Sequence, residues 1–105
     1  MTKGDIILIP FPFTDLKGNK LRPAVVLISA SKDITVCFIT SQLKWKEPGD
    51  ISIFPSSENG LKKTSLIRTG KIATLDQRLA VGRLRSLEQE DISALNRQLR
   101  PVFRL

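Results

Sequence analysis

The chain is 105 residues long with 41% hydrophobic and 26% charged residues, the proportions of one ordinary globular domain. One cysteine and no histidine exclude an intramolecular disulfide, a Cys/His metal cluster and histidine-based acid–base catalysis. Seventeen Lys and Arg against ten Asp and Glu leave a formal charge of +7, which favours polyanionic partners.

The N-terminus runs directly into an apolar stretch, Ile6-Ile7-Leu8-Ile9, which predicts a strand halted by Pro10 and Pro12, because proline has no N–H for a ladder. Phe11 and Phe13, between and after these prolines, read as core or subunit-interface aromatics. Thr14 to Lys20 is a loop around the turn signal Gly18-Asn19, and Pro23 to Ile28 is a buried strand. After a turn over Ser29 to Asp33, Ile34 to Thr40 forms the next strand and carries Cys37 as a buried, unreactive thiol. Gln42 to Asp50, with Pro48-Gly49, is a long polar loop. Ile51 to Phe54 alternates, Pro55 to Gly60 breaks the chain again, and Ser65 to Thr69 and Leu79 to Leu84 are further strands.

The tail changes period. Ser86 with Gln89 predicts a capping box, and Ile92, Leu95, Leu99 and Val102 form an amphipathic stripe. Glu88, Glu90 and Asp91 at its start and Arg97 and Arg100 near its end suit the helix dipole. Pro101 should end the helix or confine it to a last turn. The expected fold is mainly β with a C-terminal helix, a small antiparallel barrel with the helix packed on it. No repeat or linker divides residues 1–105, so they read as one domain, barrel over about 1–85 and helix over about 86–100. The apolar runs are too short to span a bilayer and no signal-peptide pattern is present, so a cytoplasmic protein is expected.

The tail charges balance, so the basic excess lies in residues 1–85. Two stretches there lack any acid: Lys17, Lys20 and Arg22, then Lys62, Lys63, Arg68 and Lys71. Strand ends in a barrel can converge on one rim. Arg22 opens a strand, Thr40 and Ser41 end another, and Arg68 interrupts the apolar Leu66-Ile67 run, so cations and a hydroxyl could meet there. From the residues alone, Thr40 equally suits an ordinary strand position, and Arg68 a structural ion pair with Asp76 or Glu58. Lys44-Trp45-Lys46 sets an aromatic between cations, suited to base stacking, to a protein contact or to anchoring a loop on the core.

In order and spacing, several segments together resemble the MazF/PemK family of toxins. They are Gly4-Asp5-Ile6, the Gly18 loop leading into Leu21-Arg22-Pro23-Ala24-Val25-Val26-Leu27, and Ile39-Thr40-Ser41-Gln42. Further on come Ser65-Leu66-Ile67-Arg68, Ile72-Ala73-Thr74-Leu75-Asp76 and Val81-Gly82-Arg83-Leu84 before a final helix. The resemblance implies an SH3-like barrel, a homodimer, and an endoribonuclease of a toxin–antitoxin pair acting on single-stranded RNA without a metal or other cofactor. It implies that Arg22 and Thr40 are catalytic and that Arg68 is an additional active-site arginine. The 2′-hydroxyl would attack the adjacent phosphorus, leaving a 2′,3′-cyclic phosphate and a 5′-hydroxyl. Planar guanidinium groups suit the equatorial oxygens of such a phosphorane, and a hydroxyl can donate to a non-bridging oxygen.

RNA binding is expected from Lys17, Asn19, Lys20, Ser41, Gln42, Trp45, Lys62, Lys63 and Lys71. An antitoxin with an acidic disordered segment would cover the same basic surface. Lys17 stands where many members of the family carry an acid, and Gly70 where the Kid branch has an aspartate. Asp15 is therefore the candidate general base, with water or hydroxide otherwise. Two other readings stand beside this one: a non-catalytic basic barrel holding RNA or DNA, and a barrel recognising an acidic partner protein.

Overall fold

The apolar runs of the first half do not alternate, and the computed structural model shows why: the sheet they build is covered on both faces. The structure describes residues 1–11 and 20–105, with side chains over 1–10 and 20–105. Asp15, Lys17 and Asn19, the Gly18 turn, and the side chains of Phe11 and Phe13 lie outside the described residues.

The strands are β1 (Asp5–Phe11), β2 (Lys20–Ser29), β3 (Asp33–Thr40), β4 (Ile51–Ile53), β5 (Ser65–Asp76) and β6 (Gly82–Ser86). They form one curled antiparallel sheet in the order β4-β5-β3-β2-β1-β6, an open half-barrel, followed by helix α1 (Gln89–Phe103). The expected fold class is the one observed. Neighbouring residues of each strand point to opposite faces. Ile6, Val25, Cys37 and Ile39 join Ile53, Ile67 and Leu95 in one core, against which Ile92 and Leu99 of α1 pack. Ile7, Ile9, Ala24, Val26, Ile34 and Val36 form the other.

Several boundaries differ from the sequence expectation. β1 runs through Pro10, which pairs with Leu21 of β2. On its other side β6 pairs no further than Leu8, so no β6 ladder bond calls for an N–H at Pro10. β5 does not stop at Thr69 but continues to Asp76, and β6 starts at Gly82 because Gln77–Leu79 is a 3₁₀ turn capped by the Asp76 carboxylate. Ser86 is not the helix cap; that position is Glu88. The Ser86 hydroxyl instead donates to Asp5 (2.8 Å), tying the end of β6 to the start of β1. Pro101 sits inside the last turn, and α1 ends two residues later with Arg104 in the left-handed conformation (φ 57).

Gly4 is required twice over. Its φ is +94, which strains any other residue, and a Cβ there would lie 2.8 Å from Ile92 Cδ1, so the Ile92 side chain of α1 would have to shift.

Candidate functional site

β3 lies between β2 and β5, and its Phe38 is paired with Ala24 on one side and Arg68 on the other. The antiparallel register therefore carries Arg22, two residues before Ala24, to the level of Thr40, two residues beyond Phe38. β5 is paired to β3 at Arg68 and again at Ile72, where it meets Cys37, so Thr69, Gly70 and Lys71 bulge out of the ladder. That bulge bends β5 at the rim. Arg22, Thr40 and Arg68 consequently line one cavity of about 450 Å³, together with Gln42, Gly70 and Lys71.

The Thr40 hydroxyl accepts the backbone N–H of Gln42 (3.1 Å), which leaves its own O–H to donate. Arg68 is mostly buried and does not pair with Asp76 or Glu58. Its Nη2 lies 2.5 Å from Glu47 Oε1, and its Nε 3.1 Å from Asp50 Oδ2. The Nε–H is not aimed at that oxygen, so the second contact is an ion pair rather than a hydrogen bond. Asp76 is engaged by Arg78 instead, whose hydrogen bonds hold its carboxyl below the usual range.

Both carboxylates come from one turn. Glu47-Pro48-Gly49-Asp50 closes with the Asp50 N–H on the Glu47 carbonyl (3.0 Å), and Gly49 has φ +94, as a proline–glycine turn requires. Asp50 Oδ2 accepts the Glu47 N–H (2.9 Å), and the buried Thr69 hydroxyl donates to the Gly49 carbonyl (2.9 Å). The turn is thus fastened to β5 beside Arg68. Beneath it, burial first and the Asp50 charge second push the Cys37 thiol up to about 12, and its Sγ donates to the Arg68 carbonyl (3.0 Å).

An open hollow of about 600 Å³ adjoins the cavity and shares Arg68 and Lys71 with it. Lys44, Trp45 and Lys46 form its far wall, and the Lys44 ammonium stands 5.4 Å from the Trp45 ring centre. Trp45 is 62% exposed, so it does not anchor the loop on the core. Lys20, Ser41, Lys62 and Lys63 are exposed and line neither space, while Asp15, Lys17 and Asn19 are outside the described residues. Glu47 and Asp50 are the residues the sequence reading missed. Glu-Pro-Gly-Asp signals a turn, but nothing in it names the strand on which the turn docks.

A family model described as PemK-like, MazF-like toxin of type II toxin–antitoxin systems matches residues 2–103. The chain belongs to that toxin family. Among solved structures, a Mycobacterium tuberculosis toxin, MazF-mt6, superposes with a TM-score of 0.77 at 18% identity, over 96% of this chain and 97% of that one. MazE–MazF from Deinococcus radiodurans gives a TM-score of 0.80 at 18% identity, over 100% and 96%. An endoribonuclease in complex with its cognate antitoxin, from a mycobacterial species, gives 0.75 at 15%, over 100% and 94%. At such identities the likeness concerns the fold. No curated protein sequence matches the chain. As in these toxins, the C-terminal helix packs on a curled antiparallel sheet.

Proposed function

We propose that this toxin is an endoribonuclease that cuts single-stranded RNA by attack of a ribose 2′-hydroxyl on the neighbouring phosphorus. The observation that carries this reading is the meeting of Arg22, Thr40 and Arg68 at one cavity, where two guanidinium groups and a free O–H face the same space. Arg22 and Arg68 would take the non-bridging oxygens, whose charge grows as the phosphorane forms, and Thr40 would donate to one of them. Lys71 adds a further cation, and Gln42 a polar group suited to an unstacked base. The Trp45 hollow extends this surface along the strand, with the exposed Lys20, Lys62 and Lys63 as outlying phosphate contacts.

The same cationic face suits the acidic segment of an antitoxin, which would compete with RNA for it. The working unit would be a homodimer, as the resemblance implies.

The test is cleavage of a single-stranded RNA by purified protein in EDTA, comparing wild type with Arg22→Ala. Removal of one preorganised donor should slow cleavage by about 10²–10³-fold with the fold intact. An unchanged rate would take Arg22 out of the mechanism. Salt-sensitive RNA binding without any product would favour the non-catalytic barrel instead.

A further inference from the structure

The attack just described needs a proton acceptor, and among the described residues, which do not include Asp15, none lining the cavity that holds Arg22, Thr40 and Arg68 is a carboxylate. The chain has no histidine to take that part. One acidic side chain nevertheless reaches the edge of this space. Glu47 sits on Arg68, and a second, smaller hollow lined by Glu47, Asp50, Arg68, Gly70 and Lys71 shares the last three with the cavity. At Gly70, which lines both, an added Cβ would meet no described atom within 4 Å. Resting on the ribonuclease reading, we propose that Glu47 is the general base of this site, delivered by the Glu47–Asp50 turn rather than by a strand residue.

The ion pair does not disable Arg68 for phosphate. A guanidinium has five N–H groups, and the Glu47 and Asp50 contacts occupy the Nε edge and one Nη2 position. The Nη1 pair and the other Nη2 hydrogen remain for non-bridging oxygens. One guanidinium then bridges carboxylate and phosphate, which brings the acceptor next to the bound phosphodiester. The two acids of the turn divide the work by exposure. The Asp50 side chain is 3% exposed and bonded to the turn's own backbone, so it positions the loop and the guanidinium. The Glu47 side chain is 64% exposed, and its carboxylate can reach substrate. In the step itself the 2′-O–P bond forms and the P–O5′ bond breaks. The 2′-hydroxyl proton passes to Glu47, and a water supplies the proton taken by the departing 5′-oxygen.

The experiment pairs single-turnover cleavage of RNA with binding of a 2′-deoxy analogue that cannot react, for wild type, Glu47→Gln, Gly70→Asp and the double variant. Loss of a general base should slow Glu47→Gln by about 100-fold or more. Analogue binding should be kept or tightened, since a negative charge has left the phosphate site. The open space at residue 70 gives the independent arm: Gly70→Asp in the Glu47→Gln background should restore much of the rate, which a folding defect would not allow. A Glu47→Gln rate equal to wild type would make the pair merely structural. A faster Glu47→Gln would make Glu47 a guard on Arg68. Either result refutes the proposal while leaving the ribonuclease reading intact. Wild type that binds the analogue yet does not cut would refute both.

Discussion

In the proposed mechanism Arg68 would serve a phosphate while lying against two carboxylates, Glu47 and Asp50. Thr40 is simpler. Its oxygen is committed to the Gln42 N–H and its hydrogen to no described residue, so Thr40→Val should lower the cleavage rate by about tenfold or more while leaving affinity for an uncleavable analogue nearly unchanged. Steady-state and binding measurements on the same preparation separate the two. Cys37 makes a contrasting prediction. Its thiol is fully buried and pushed up to about 12, so it stays neutral well above its ordinary range. Alkylating reagent at mildly alkaline pH should leave it unmodified in the native protein and label it once the chain is denatured. Labelling of the native state would show that the core under the turn opens. Cys37 was readable as inert from its apolar run alone. The paired carboxylates at Arg68 were not, because Glu47 and Asp50 lie far from Arg68 in sequence and meet it only through the docking of a turn.

At the scale of elements, the site depends on two departures from regular structure. One is the bulge of β5 at Thr69, Gly70 and Lys71; the other is the proline–glycine turn pinned to it by the Thr69 hydroxyl. The seam joining β1, β6 and the start of α1 gives stability predictions. Gly4→Ala combines a strained φ with a clash against Ile92 and should cost about 2 kcal/mol in urea unfolding. Asp5 is buried in the same seam. Burial alone would raise its pKa, but the Thr2 N–H, the Ser86 hydroxyl and the Arg83 charge outweigh burial and hold it below the usual range. A lowered native pKa means that the carboxylate stabilises the fold above the ordinary aspartate range, and that this contribution fades as pH falls through the native value. Asp5→Asn should therefore flatten the acid side of the stability profile as well as lower stability at neutral pH. Strands and helix were legible because their apolar runs and the Ile92-Leu95-Leu99 stripe are local signals. The cap was misread because Ser86 satisfies a carboxylate in another strand, a partner that spacing cannot disclose.

For the whole molecule, charge and fold point the same way. The basic excess lies outside α1, whose own charges balance, and its Arg22, Arg68 and Lys71 gather at the cavity while Lys44 and Lys46 extend the surface past Trp45. Affinity for single-stranded RNA should accordingly fall steeply with salt, and each phosphate contact removed should reduce the log–log slope by about 0.7. Lys71→Ala is the variant to measure; an unaltered slope would place Lys71 outside the RNA path. The acid-free stretches hinted at this surface. Lys62 and Lys63 show the limit of that hint, since they share a stretch with Arg68 yet lie away from the cavity. The central claim is that a phosphate seated between Arg22, Thr40 and Arg68 is cut by the neighbouring 2′-oxygen. The most direct measurement is the chemistry of the product ends after incubation with RNA in EDTA. A 2′,3′-cyclic phosphate and a 5′-hydroxyl from wild type, both lost in Arg22→Ala, is the predicted result; 5′-phosphate ends, or intact RNA at every enzyme concentration, would contradict it.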